Sequence, residues 1–135
     1  MMVMTNAQLF ACLRYHDADR ALRFLHALGF EEHLVVRRDA DPTIIEHAQL
    51  RWRDNGGVML GSVRTDDREF TIHPGMACTN LVVATAAEVD EVVVKGMAAG
   101  GTLVQEPNEP PYGGRSAMVR DPEGNLWNID SYPGE

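Results

Sequence analysis

Only two cysteines, Cys12 and Cys78, occur in the 135 residues, and neither belongs to a CxxC pair. That excludes a disulfide framework, and both thiols, embedded in apolar stretches, read as reduced and buried. Nowhere do eighteen apolar residues run together, and the opening MMVMTNAQLF has no basic stretch ahead of an apolar core. Neither membrane spanning nor export is therefore expected, and the reading is a cytoplasmic protein. Positive charge is scarce: 12 Lys and Arg stand against 20 Asp and Glu, a net charge of -8, with no basic run longer than Arg37-Arg38. A nucleic-acid-binding stripe is excluded on that ground. The carboxylates fall at helix starts and in polar loops, where they supply solubility.

What is present suits one domain over residues 1–135: hydrophobic residues make up 44% and charged residues 24%. A chain of this length buries about two-thirds of its unfolded surface and needs no metal or disulfide staple. Gln8 to Tyr15 is β-compatible. Asp17 is an N-cap residue, and Ala18, Ala21, Leu22, Leu25 and Leu28 recur at helical spacing until Gly29 ends the helix. Phe30 to Val36 reads as a strand. In HAQLRWR, Ala48, Leu50 and Trp52 alternate with His47, Gln49, Arg51 and Arg53, the pattern of a half-buried strand. Asn55-Gly56 is a strong type I′ hairpin signal, with Val58 to Val63 as the returning strand. Counting outward from that turn pairs Trp52 with Met59 and Arg51 with Leu60.

The second half repeats the order. Thr85 and Glu88 form a capping box, Val89, Val92, Val93 and Gly96 a helical stripe, and Gly100-Gly101 a stop before the strand Thr102 to Gln105. Arg115 to Arg120 and Leu126 to Ile129 flank the turn Asp121-Pro122-Glu123-Gly124. Asp17 and Thr85 stand 68 residues apart, as do Gly56 and Gly124, which predicts one common register. Module 1 is expected over about 7–63, a polar linker over 64–76 and module 2 over about 77–132, with all seven prolines outside the elements.

This doubled unit, with LRYHDADRALRFLHALGF early and GGRSAMVRDPEGNLWNIDSY at the end, resembles the vicinal oxygen chelate superfamily, which includes glyoxalase I, extradiol dioxygenases and bleomycin-resistance proteins. The resemblance implies an α+β fold of two tandem βαβββ modules, forming a cup-shaped mixed sheet with the helices outside. It also implies a metal ligand on the first and last strand of each module in the metal-dependent members. Those positions fall on Phe10 and Leu60 in module 1 and, 68 residues later, on Cys78 and Asn128. One thiol and one neutral amide are too few for Zn, Ni, Mn or Fe, which take imidazole and carboxylate donors at about 2.0–2.2 Å. The five histidines show no i, i+4 pair and read as surface or hydrogen-bonded residues, His47 being the one on the same face as Gln49 and Arg51.

Alternation and the offset assign the pocket. Phe10, Cys12 and Arg14 share a face with His47, Gln49, Arg51, Val58, Leu60 and Ser62, and with Cys78, Asn80, Val82, Leu126, Asn128 and Asp130. Tyr112 and Arg115 of PPYGGR stand either at the pocket rim or in a tight loop held by Arg115 bridging to a carboxylate. Trp52 and Trp127 point toward the helices. The leading expectation is a metal-independent binding protein of the bleomycin-resistance kind, with no cofactor, holding an aromatic or heterocyclic molecule in a cup shared between the chains of a homodimer. The alternative is a glyoxalase-like lyase, isomerase or dioxygenase with a non-standard active site, drawing on Cys12, Cys78, His47 or Asp130.

Overall fold

The computed structural model describes residues 7–66 and 72–135; the first six residues and residues 67–71 of the expected linker lie outside the described part. The first series of elements is β1 (Leu9–Tyr15), α1 (Ala18–Leu28), β2 (Glu31–Arg37), β3 (Ile45–Trp52) and β4 (Gly56–Ser62). The second is β5 (Cys78–Val82), α2 (Ala86–Ala98), β6 (Thr102–Asn108), β7 (Ser116–Arg120) and β8 (Leu126–Asp130). Two four-stranded mixed sheets result, ordered β1-β4-β3-β2 and β5-β8-β7-β6, with β1 parallel to β4 and β5 parallel to β8. This is an α+β fold of two tandem βαβββ modules.

The helix boundaries follow from their caps. The Asp17 carboxylate accepts from the Arg20 amide at 3.0 Å, and Gly29, at φ 121°, closes α1. Thr85 Oγ1 accepts from the Glu88 amide, while Glu88 reaches back to the amide of Ala84. Gly96 marks the contact between the helices, since a Cβ there would stand 2.9 Å from Leu28 Cδ2. Its cost in helix propensity is offset by that close packing. The expectation that every proline lies outside an element fails at Pro107, which falls within β6; as an edge strand, β6 tolerates the missing donor.

The first hairpin departs from expectation. The turn is made by residues 53–55, Trp52 pairs with Gly56, and the positive φ of 53° belongs to Arg53, not to Asn55 or Gly56. The Arg53 guanidinium lies 4.7 Å from the Trp52 ring centroid, a cation–π contact that favours this conformation. Arg51 consequently pairs with Gly57, Gln49 with Met59 and Ala48 with Leu60. The expected pairing was out by three residues, an odd number, so the face of β4 inverts. Val58, Leu60 and Ser62 are buried, and Gly57, Met59 and Gly61 lie on the face shared with Phe10, Cys12 and Arg14. The two hairpins are therefore related by 69 residues, Met59 corresponding to Asn128, while the helix starts keep their separation of 68.

One apolar cluster joins the helices to the buried faces of both sheets. It contains Leu13, Leu50 and Leu60 from the first, Val119, Trp127 and Ile129 from the second, and Phe24, Leu28, Val89 and Val93 from the helices. Both tryptophans point into it as expected, Phe30 lying 5.1 Å from Trp52 and 5.8 Å from Trp127 between ring centroids. Asp121 and Glu123 of the turn 121–125 fasten the modules together, and Asn125 holds the end of the linker. Asp121 accepts from Tyr15 Oη at 2.7 Å, Glu123 accepts from the amides of His16 and Asp17, and Asn125 accepts from the amides of Gly75 and Ala77.

Burial, and then the charge of Asp121, hold the Tyr15 phenol far above its ordinary value of 10.0. A raised folded-state value means that the unfolded chain binds fewer protons above pH 10, so this contribution is complete below pH 10 and declines as pH rises past it. The expected slope is about 1.4 kcal/mol per pH unit. Urea midpoints of the wild type and Tyr15→Phe should therefore converge between pH 9 and pH 11. A gap that stays constant over that range would contradict this account of Tyr15.

Candidate functional site

α1 packs against β1 and β4 and α2 against β6, β7 and β8, and the opposite face of each sheet carries most, though not all, of the expected site residues. On the first sheet, Phe10 and Arg14 are half-buried and Cys12 is exposed, while across β3 His47 and Gln49 are half-buried and Arg51 is buried. Glycines make room for the larger groups: a Cβ on Gly57 would stand 2.6 Å from the Phe10 ring, and one on Gly61 2.3 Å from Arg14 Nη1. Arg14 donates to the carbonyl of Ser62, Arg51 to that of Asp54, and the Nε2 atoms of Gln49 and His47 lie 2.9 Å apart. Both cysteines are exposed, which corrects the expectation of buried thiols. Their apolar neighbours signalled a strand, and strand alternation turns the thiols outward.

The second sheet holds a basin of about 500 Å³, within the range of small-molecule sites. Cys78 and Asn80 of β5 and Asn128 of β8 line it, as expected from sequence. Gln105, Asn108, Ser116 and Met118 line it too, and these were missed. Alternation along SAMVR, together with the pairing of Met118 to Asn128, was the signal that places Ser116 and Met118. Asn108 lies beyond the expected end of β6. Pro110 and Tyr112 complete the rim, Tyr112 packing edge-to-face on Tyr132 at 5.1 Å. Gly114, at φ 73°, lets the loop pass close to Tyr132, where a Cβ would stand 2.8 Å from the backbone nitrogen.

Arg115 takes the loop-holding position. Its Nε and Nη2 bond Asp90 on α2 at 3.1 and 3.0 Å, Nη1 lies 3.5 Å from Glu109, and it does not line the basin. Leu60, expected among the pocket residues, is 3% exposed in the core. A second concavity, between Arg14, Arg38 and Arg64 at the end of the first sheet, is crossed by the ion pairs Arg38–Glu46 and Arg64–Asp66.

The inverted face of β4 changes one of the four positions at which the resemblance implies a metal ligand. They now hold Phe10, Met59, Cys78 and Asn128. A phenyl ring donates nothing, a thioether is a weak neutral ligand, and the amide of Asn128 is already bonded by Ser116 and bonds Asn80. These residues do not fit a divalent metal of the kind bound by imidazole and carboxylate. Among the described residues no group of three or more His, Cys, Asp or Glu is gathered as a metal site. Nor is any helix among them long and apolar enough to cross a membrane.

Residues 7–129 match the family model for the glyoxalase/bleomycin resistance protein/dioxygenase superfamily. No functionally curated protein matches. Among solved structures, TioX from Micromonospora sp. ML1 is 32% identical over 92% of this chain and 97% of its own, with a TM-score of 0.67. A glyoxalase-related enzyme from Fulvimarina pelagi is 25% identical over 91% of this chain and 87% of its own, with a TM-score of 0.68. Lactoylglutathione lyase from Agrobacterium tumefaciens, 20% identical over 92% of each chain with a TM-score of 0.66, shares the fold. The chain belongs to the glyoxalase/bleomycin resistance protein/dioxygenase superfamily.

Proposed function

We propose that this chain is a metal-independent cytoplasmic binding protein that sequesters a small aromatic or heterocyclic molecule, in the manner of bleomycin-resistance proteins. The observation that carries this reading is the set Phe10, Met59, Cys78 and Asn128 at the positions where metal-dependent relatives need imidazole and carboxylate. A second copy of the chain completes the cup. Each sheet leaves one face uncovered within a single chain, and the pocket residues Phe10, Cys12, Gln49, Cys78, Asn80 and Asn128 lie on those faces. Affinity then comes from burying the ligand's apolar area against Phe10, Met59, Met118 and Tyr112, and the amides set its orientation.

An enzymatic reading finds little to activate a nucleophile. Among the described residues, the exposed Cys12 Sγ has one hydrogen bond, to the carbonyl of Phe10 at 3.9 Å, and neither free thiol is hydrogen-bonded to a base.

Two measurements on protein purified without chelator test the proposal. Elemental analysis is expected to find well below stoichiometric Zn, Ni, Mn and Fe. A thermal-shift screen of aromatic and heterocyclic compounds is expected to find ligands that raise Tm by about 10 °C at a hundred times Kd, where binding adds about 2.7 kcal/mol. One equivalent of tightly held metal, or no shift across such a library, would overturn it.

A further inference from the structure

One half-buried cation on the uncovered face of the first sheet has no counter-charge. Arg14 leaves β1 on the face shared with Phe10 and Cys12, and its guanidinium lies across its register partner Gly61 on β4, where a Cβ would collide with Nη1. Glycine at 61 lets the side chain lie down there, and Nη1 is held by the carbonyl of Ser62 at 3.2 Å. The chain has 20 Asp and Glu against 12 Lys and Arg, yet among the described residues no carboxylate is paired with Arg14. Its neighbours differ: Arg38 pairs with Glu46 at 2.6 Å and Arg64 with Asp66 at 2.8 Å. All five of these side chains line one concavity of about 240 Å³ at the end of the sheet, so its wall has one positive charge in excess, and that charge is Arg14. A partly desolvated guanidinium without a partner is costly. An anion would be held by charge-assisted hydrogen bonds from the donors that the Ser62 carbonyl leaves unused.

The same wall limits the charge of the anion and the nature of the rest of the ligand. A single excess cation matches a single negative charge, and a second would face the carboxylates of Glu46 and Asp66. Toward the middle of the sheet, the register partners Cys12 and Met59 stand two residues from Arg14 and Gly61 on the same face. Two residues of strand span about 6.6 Å, the reach of a bicyclic aromatic ring system. Phe10, folded over Gly57 two residues further on, bounds the apolar end. Resting on the reading of the chain as a small-molecule binder, we infer that the ligand is an aromatic monocarboxylate. Its carboxylate sits against Arg14 in the end concavity, and its rings lie over Met59 and Cys12. The net charge of -8 slows the approach of any anion, so selection rests on the contact with Arg14 and not on steering.

Isothermal titration at neutral pH with 2-naphthoate, 2-naphthamide and 2-naphthyl phosphate tests this, since the three share a ring system and differ in charge. The wild type is expected to bind 2-naphthoate on the order of tenfold tighter than the amide, with the phosphate weaker than the carboxylate. In Arg14→Gln the ratio of carboxylate to amide affinity should fall to about one, through loss of carboxylate binding and not gain of amide binding. Arg14→Lys, which keeps the charge but not the fork of donors, should retain part of the preference. Equal or tighter binding of the amide by the wild type, tightest binding of the phosphate, or a preference for the carboxylate that survives in Arg14→Gln would overturn the inference and leave the binding function standing. Failure of all three probes at millimolar concentration would overturn both.

Discussion

Replacing Asp121 with alanine is expected to cost about 3–5 kcal/mol, a large share of the roughly 5–15 kcal/mol that stabilises a domain. The side chain is 4% exposed. Its Oδ2 accepts from Tyr15 Oη at 2.7 Å, Trp127 Nε1 at 3.0 Å and Asn125 Nδ2 at 3.1 Å. Oδ1 accepts from the amides of Glu123 and Asn125 at 2.9 and 3.1 Å. Alanine leaves the Tyr15 hydroxyl and the Trp127 indole buried without a partner, about 1–3 kcal/mol each, and releases the turn that carries Glu123 to the start of α1. For a chain of this length the matching fall in Tm is about 10–20 °C. Asp121→Asn keeps the shape and one acceptor and should lie between. Urea unfolding with an unchanged m value measures both. A cost below about 1 kcal/mol would mean that water replaces the carboxylate and that Asp121 is not what joins the modules.

The turn signal of residues 121–124 carries none of these contacts. The signals that act within a few residues were legible: Asp17 and Thr85 as caps, Pro122 and Gly124 as turn formers, the alternation of Ala48, Leu50 and Trp52 against Gln49 and Arg51. What escaped notice was the tertiary work of polar side chains whose partners lie 106 or 107 residues away, because nothing in a local pattern marks Asp121 and Glu123 as acceptors for β1 and α1. Arg115 is a milder case. The expectation that it bridges to a carboxylate was open, and its partners Asp90 and Glu109 lie on a helix and a loop whose approach only the fold determines. The basin was legible on β5 and β8, where the pairing of Cys78 with Leu126 and Asn80 with Asn128 keeps them on one face. On β7 the alternation of Ser116 and Met118 carries the signal, whereas Asn108 has none, since β6 runs three residues beyond its expected end.

At β4 two local signals compete. Asn55-Gly56 favours a two-residue turn, but Arg53 takes the positive φ and stacks on Trp52, and Gly56 becomes the first residue of the strand. An equal separation of 68 at Gly56 and Gly124 then reinforced the wrong register, because in the folded chain Gly56 corresponds to Asn125. The corrected register exchanges Leu60, which has no donor atom, for Met59, whose neutral thioether is a poor ligand for the metals that take imidazole and carboxylate.

That register gives a sharp contrast between adjacent residues. Leu60 is 3% exposed, pairs with Leu13 and Ala48, and points into the cluster beneath the helices. Leu60→Glu would remove about 1.5–3 kcal/mol of apolar burial and leave a carboxylate to be neutralised or desolvated, at a further cost of several kcal/mol. The expected outcome is a chain largely unfolded at 25 °C. Met59, one residue earlier, pairs with Cys12 and Gln49 on the uncovered face, where a carboxylate keeps its water. Met59→Glu should cost less than about 1.5 kcal/mol and retain the wild-type far-ultraviolet circular dichroism. Reversal of the two outcomes would restore Leu60 to the pocket and return β4 to the register that the Asn55-Gly56 turn suggested. With the order as expected, Met59→Glu also places a carboxylate where metal-dependent relatives hold a ligand. That single variant should still take up no stoichiometric metal, because one new carboxylate joins only the Cys78 thiol and the Asn128 amide, which is already engaged by Ser116 and Asn80, while Phe10 donates nothing.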